Sequence, residues 1–191
     1  MPRAGLDTEL VVAAAASLAD AEGLEAVTLA RLAGRLGVRA PSLYAHVGGL
    51  TDVRRRLGTR GARELAAVLQ AAAAGRAGGD ALASVAAAYR GFAQAHPGTY
   101  AAAQRLPAVA DDDAATAAGA AVDVVLAVLR GYGLDGDDAL HATRALRAAL
   151  HGFVSLETEA GFGLPLAVDE SFHRLVAMID RGLSVQRSPR A

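Results

Sequence analysis

The chain has 191 residues, 53% hydrophobic and 20% charged, enough apolar surface for one large or two small domains with buried cores. It has no cysteine, which excludes a disulfide framework and a thiolate metal site, and its most apolar runs, Leu10 to Leu18 and Ala120 to Leu129, are too short to span a membrane. Net charge is −1, but it is unevenly spread: residues 1–63 hold nine arginines against six acids, a net of +3, and residues 64–191 hold ten against fourteen, a net of −4.

A basic end on an acidic body suits a protein whose first part meets a polyanion while its body faces away. All 19 basic residues are arginine, which with the abundant alanine and glycine points to a GC-rich coding genome. Aromatic residues are few, alanine is abundant, and Val and Leu recur mostly at helical spacing, so the expected fold is all-α. No basic start followed by an apolar run and a cleavage site is present, and the expected location is the bacterial cytoplasm.

Met1 to Gly5 reads as a mobile arm whose Arg3 either reaches DNA or belongs to an ordinary terminus. Asp7 or Thr8 caps a first helix to about Glu22, with Leu10, Val11, Ala14 and Leu18 as its buried stripe and Gly23 as its end. Thr28 caps the second helix. A helix start also exposes backbone N–H groups to a phosphate, so Thr28 is either a plain cap or a cap and phosphate contact. Leu29, Leu32 and Leu36 make the apolar stripe, and Ala33 is small enough to let the next helix come close. Gly37 then stops the helix in a left-handed conformation, and Val38 turns inward.

The third helix starts near Ala40 with Pro41 in its first turn, and runs as a recognition segment from Pro41 to Val47. Leu43 and Val47 form its apolar face. Arg39, Ser42, Tyr44 and His46 are polar-tipped, and none is acidic. This is the pattern of a helix-turn-helix. After Gly48-Gly49 a fourth helix starts at Leu50 or Thr51, capped by Thr51 or Asp52, with Val53, Leu57, Leu65, Val68 and Leu69 on its apolar side. Arg54, Arg55, Arg56, Arg60 and Arg63 crowd its first half in different directions around the helix, so only some can face DNA.

Gly75 to Gly79 reads as a linker and domain boundary. Helices are then expected over 80–96, anchored by Leu82, Val85, Tyr89 and Phe92, and over 99–106, between Pro97-Gly98 and Pro107. Asp111 to Asp113 reads as a loop and cap, followed by helices over 114–132, 137–160 and 168–183 and a disordered tail. The expected organisation is a helix-turn-helix domain over 1–50, extended by a connecting helix 50–74, a larger helical domain over 79–184, and a tail over 185–191.

A major groove admits one helix, whose first residues reach base edges. Ala40 and Ser42 are short and allow close approach. Arg39 pairs with a guanine or holds a phosphate; the sequence leaves both open. Tyr44 gives its hydroxyl to a phosphate or packs against the first helix. His46 contacts phosphate, or serves as a stacking or capping residue.

The run LARLAGRLGVRAPSLYAHV resembles the DNA-binding domain of TetR-family transcriptional regulators. The specific part is Leu43-Tyr44-x-His46-Val47 after the Gly37-Val38 turn, and the likeness covers about residues 7–55. It implies a homodimer that places each third helix in a major groove of a palindromic, double-stranded DNA operator. A small-molecule effector in the larger domain would change the spacing of the two heads, most commonly to relieve repression. By the same likeness Thr28 and Tyr44 contact phosphates, Arg39, Ala40, Pro41 and Ser42 face the groove, and His46 contacts the DNA backbone. One departure is Leu50, where the family commonly has a lysine. A phosphate contact is then missing, for which Arg54 or Arg55 would compensate, and the expectation is a lower affinity or a flatter salt dependence.

A second run, LRAALHGFVSLETEAGFG at 146–163, resembles the C-terminal domain of a subset of these regulators named for a Trp-His-Gly signature; His151-Gly152 is present and the tryptophan is not. That likeness implies dimerisation through the helices at about 137–160 and 168–183, with Leu146, Leu150, Phe153, Val154, Phe172, Leu175, Val176 and Ile179 as interface or core. Phe92, His96, Tyr100, Gln104, His151 and Glu157 are candidate lining of the effector pocket, against the alternative that they are core or surface residues.

Catalysis finds no support. His151, Ser155 and Glu159 share a helix face, but no glycine-rich elbow surrounds Ser155 and nothing supplies an oxyanion hole. The histidines at 96, 141, 151 and 173 lack paired spacing, so no metal or other cofactor is expected. The competing reading is a ligand-binding or protein-interaction dimer whose DNA head has degenerated, motivated by Leu50 and the modest positive charge.

Overall fold

Asp7, rather than Thr8, caps the first helix: its carboxylate accepts the Leu10 backbone N–H at 2.7 Å and opens α1 (Thr8–Glu22). The structure, a computed structural model, describes residues 5–106 and 112–186; the expectations for Arg3, Pro107, Asp111 and residues 187–191 lie outside them. Val11, Val12, Ala15, Ala16, Leu18 and Ala19 are the buried residues of α1. Leu10, expected in that stripe, is 40% exposed. The buried face is turned toward Val12, Ala16 and Ala19 because a second helix covers that side, as shown below.

Gly23, at φ +88°, leads into a 3₁₀ turn at Leu24–Ala26. Thr28 then caps α2 (Leu29–Leu36), accepting the Arg31 N–H at 3.3 Å. Gly37 closes α2 at φ +68°, ψ 29°, and the Val38 N–H returns to the Ala33 carbonyl at 3.0 Å. The left-handed backbone there is what glycine provides at low cost. The third helix is shorter than the expected Pro41–Val47: α3 is Ala40–Leu43, followed by turns in which the His46 and Val47 N–H groups both return to Leu43 O. Val47 is drawn into the core and Gly49 takes φ +99°, which bends the chain before the helix can lengthen.

α4 (Leu50–Ala73) is continuous. Val53 and Leu57 are fully buried with Val11, Ala15, Val27, Leu32 and Leu43 in one cluster, and Leu50 packs against it. Burying side chains of this size stabilises by roughly 1.5–3 kcal/mol each. After α5 (Gly78–Ala95) the helix breaks at His96, as the Pro97-Gly98 pair led one to expect, and α6 (Pro97–Gln104) starts with that pair itself rather than after it, with Pro97 in its first turn. The Asp20 carboxylate of α1 accepts the Thr99 N–H at 2.7 Å, capping α6 from a different helix. Three glycines allow the approach. A Cβ on Gly98 would overlap the Ala19 backbone, and Cβ atoms on Gly61 and Gly58 would lie 2.6 Å and 2.8 Å from the Thr99 and Ala102 carbonyl oxygens.

By packing, the chain forms two units. The first runs to Glu64 and takes in Ala95–Ala118; the second is Leu65–Gln94 and everything from Gly119. The stretch Gly75 to Gly79 lies wholly inside the second unit, in the turn between α4 and α5 and the start of α5. The second unit also contains most of α7 (Asp112–Arg130), with α8 (Gly136–Thr158) and α9 (Val168–Gln186). Leu146, Leu150, Phe153, Val154, Phe172 and Val176 are buried, while Leu175 and Ile179 are half-buried. Ser184, Val185 and Gln186, expected in a disordered tail, continue α9. Among the described residues there is no strand.

Candidate nucleic-acid interface

The cap at Thr28 and the left-handed Gly37 fix α2, and the Val38 turn presents α3. Arg39 stands just ahead of α3, exposed, with no side-chain cap bond. Pro41 and Ser42 are exposed, and Tyr44 is 63% exposed. Ala40, expected to face a groove, is half-buried and packs on the core cluster, which leaves less of it for a ligand. His46 is half-buried, and its carbonyl accepts the Thr8 hydroxyl at 2.8 Å. That bond ties the start of α1 to the turn after α3.

The surrounding charges are largely committed to each other. Arg31 pairs with Glu22 at 2.5 Å, and Arg35 donates to the Ser17 hydroxyl at 2.7 Å. Arg54, expected to compensate for Leu50, donates to Glu25 at 3.2 Å, and Glu25 also accepts from Arg105 at 2.6 Å. The Arg105 guanidinium, with Arg54, holds the Glu25 carboxyl below its ordinary range. Arg55 and Arg56 donate to the two oxygens of Asp52 at 2.7 Å and 2.9 Å. The same carboxylate accepts the Gly48 N–H at 3.0 Å, so Asp52 steadies the turn ahead of α4. Burial alone would raise its pKa, but the Gly48 N–H and the Arg56 and Arg55 guanidiniums outweigh that and bring it down to about 2. Among the described residues, Arg39 has no ion-pair partner, which leaves its guanidinium available beside α3.

Sequence reasoning missed the partners of these charges. Asp52, four residues after Gly48 and three and four before Arg55 and Arg56, carried the local signals. The Glu25–Arg54, Glu25–Arg105 and Thr8–His46 contacts join residues 29, 80 and 38 positions apart and have no sequence signature.

The six candidate effector residues are divided between the two units. His96, Tyr100 and Gln104 belong to the first unit, and Phe92, His151 and Glu157 to the second. Tyr100 and Phe92 are buried, and the His96 ring meets Asp20 at 3.2 Å. Glu157 is held by Arg90, whose guanidinium also reaches Asp169 at 2.7 Å and lies 4.9 Å from the centre of the Phe172 ring. A cleft of about 350 Å³ lies in the first unit and one of about 220 Å³ beside Phe162 in the second; none of the six lines either.

A capped helix, a left-handed glycine turn and a short exposed helix without acidic residues define a helix-turn-helix DNA-binding protein of the all-α class. The family model described as tetracyclin repressor-like, C-terminal domain, matches residues 82–179. The chain belongs to the TetR family of transcriptional regulators. It is 45% identical over 156 residues to an HTH-type transcriptional regulator of Mycobacterium tuberculosis, spanning 81% of this chain and 71% of that one. With the HTH-type transcriptional regulator YobS of Bacillus subtilis it shares 40% identity over 163 residues, 84% of each. In fold it is similar to ActR of Streptomyces coelicolor. The apo structure of that protein superposes with a TM-score of 0.74 at 21% identity, covering 98% of this chain and 99% of ActR. A second ActR structure, in complex with (S)-DNPA, gives 0.68 at 20% identity, covering 97% and 100%. Among the described residues, no helix is long and apolar enough to cross a membrane.

Proposed function

We propose that the chain is a repressor that binds a palindromic operator as a homodimer, one α3 in each of two major grooves, and leaves it when a small molecule binds. The observation that carries this reading is the exposed edge Arg39, Pro41, Ser42 and Tyr44, free of acids and offering a guanidinium and two hydroxyls to DNA. Thr28 at the start of α2 and Tyr44 act as phosphate donors, and His46 sets the backbone position through its bonded turn. Arg39 supplies the full positive charge.

Dimerisation through α8 and α9 is supported by their apolar exposure: Leu140, Leu156 and Met178 are 45%, 48% and 61% exposed. Effector release is supported by ActR, a structure of which holds (S)-DNPA. An operator-binding protein works where the chromosome is, in the bacterial cytoplasm.

Selection of bound fragments from a random duplex pool tests the reading. The expected outcome is an enriched palindrome with half-sites about 10 base pairs apart, or a multiple, centre to centre. A second reading, a dimer with a degenerate head, is favoured by Leu50 together with the engagement of Arg54 by Glu25. It predicts no enrichment even at low salt.

A further inference from the structure

We infer that the cleft between α4 and the start of α1 is a binding site for a small oligophosphate. Arg55, Arg56, Arg60 and Arg63 line it, all from one helix. At 1.5 Å per residue their backbone positions span about 12 Å, and their angular positions fall within one side of α4. Thr8, Glu9 and Val12 form the facing wall, and Asp113 closes one end. Its volume of about 350 Å³ suits a small ligand and is far too small for a DNA duplex.

The charges inside are exchangeable. Arg60 holds Glu9 at 3.0 Å and Glu64 at 2.8 Å, and Arg63 holds Asp113. Glu9 is 82% exposed and Asp113 60%, and ion pairs this open to water contribute little to stability. A chain of phosphates carries more charge per length than these separate carboxylates. Its oxygens also match the guanidinium fork in pairs. The ligand displaces Glu9 and Asp113 outward and takes Arg60 and Arg63 as its main partners, with Arg55 and Arg56 extending the track.

The site touches the reading head. Thr8 in its wall bonds the His46 carbonyl, and Arg55 and Arg56 hold the carboxylate that fixes Gly48. An effect of occupancy on operator binding rests on the function proposed above; occupancy itself does not.

Calorimetric titration of the full chain with inorganic triphosphate, at low salt and without DNA, tests the site. The expected result is one site per chain, weakened about tenfold or more in the double variant Arg60→Gln, Arg63→Gln. The double variant Arg60→Lys, Arg63→Lys keeps the charge and loses the fork, and is expected to fall between. Arg39→Ala should leave the titration unchanged. No binding heat, affinity unchanged in the glutamine variant, or loss of binding in Arg39→Ala overturns the site. If the glutamine variant binds operator with a lower salt slope while triphosphate does not bind the native chain, those arginines serve duplex phosphates and the inference fails.

Discussion

Asp52 does three jobs at one carboxylate: it accepts the Gly48 N–H and pairs with Arg55 and Arg56. Its pKa is lowered in the folded chain, so it adds stability that is complete above the unfolded value near 4 and lost as pH falls toward about 2. Asp52→Asn is expected to cost roughly 1–2 kcal/mol at neutral pH, with the difference from the native chain shrinking below about pH 4. Urea unfolding of both proteins across that range measures it. A difference that stays constant down to about pH 2 would remove Asp52 from the account. Arg39 and Tyr44 show the opposite economy: both are exposed, and neither is spent on the fold. Both are polar-tipped residues that interrupt an apolar pattern, Arg39 just ahead of α3 and Tyr44 at its end. The fate of Arg54 was not legible, because Glu25 lies in a different turn and only folding brings it near.

Helix ends were the clearest elements to anticipate. Thr28 and Gly37 act through bonds within a few residues, and local chemistry decides them. The length of α3 and the extent of the buried face of α1 depend on what packs against them: α3 is shorter than its pattern, and α1 buries Val11 and Leu18 as expected but exposes Leu10 and adds Val12, Ala16 and Ala19. The cause at α1 is α6, seated by Gly98 against Ala19 and capped by Asp20. Gly98→Ala is therefore expected to destabilise the first unit by about 2 kcal/mol or more, since the added methyl must push two helices apart. Gly91→Ala is the matched control. It lies in α5 with open space where the Cβ would go, and should raise stability by about 0.5–1 kcal/mol. Thermal melts of the two variants check this pair. Equal tolerance of both would mean that α1 and α6 are not packed as described.

For the whole molecule, the family was legible from one stretch of about twenty residues, and the all-α class from the abundant alanine and the helical spacing of Val and Leu along the chain. The candidate effector residues are divided between the two packing units. A sequence places Phe92 and Tyr100 a few turns apart, yet they fall in different packing units. Charge behaves similarly: the excess of arginine in residues 1–63 suggests a broad basic surface, but most of those arginines hold acids or hydroxyls of the same chain. On the proposed reading face Arg39 is therefore the principal charge, and Tyr44 offers a neutral contact. Fluorescence anisotropy titration of an operator fragment from beside its own gene, at several salt concentrations, separates these roles. Two chains should bind per operator. Tyr44→Ala should weaken binding about tenfold with the salt slope unchanged, about 1.4 kcal/mol. Arg39→Ala should lower the slope by about one unit per subunit if the guanidinium meets phosphate, or relax base preference at one position if it meets guanine. Binding that is unchanged by both substitutions would contradict the claim that α3 reads DNA.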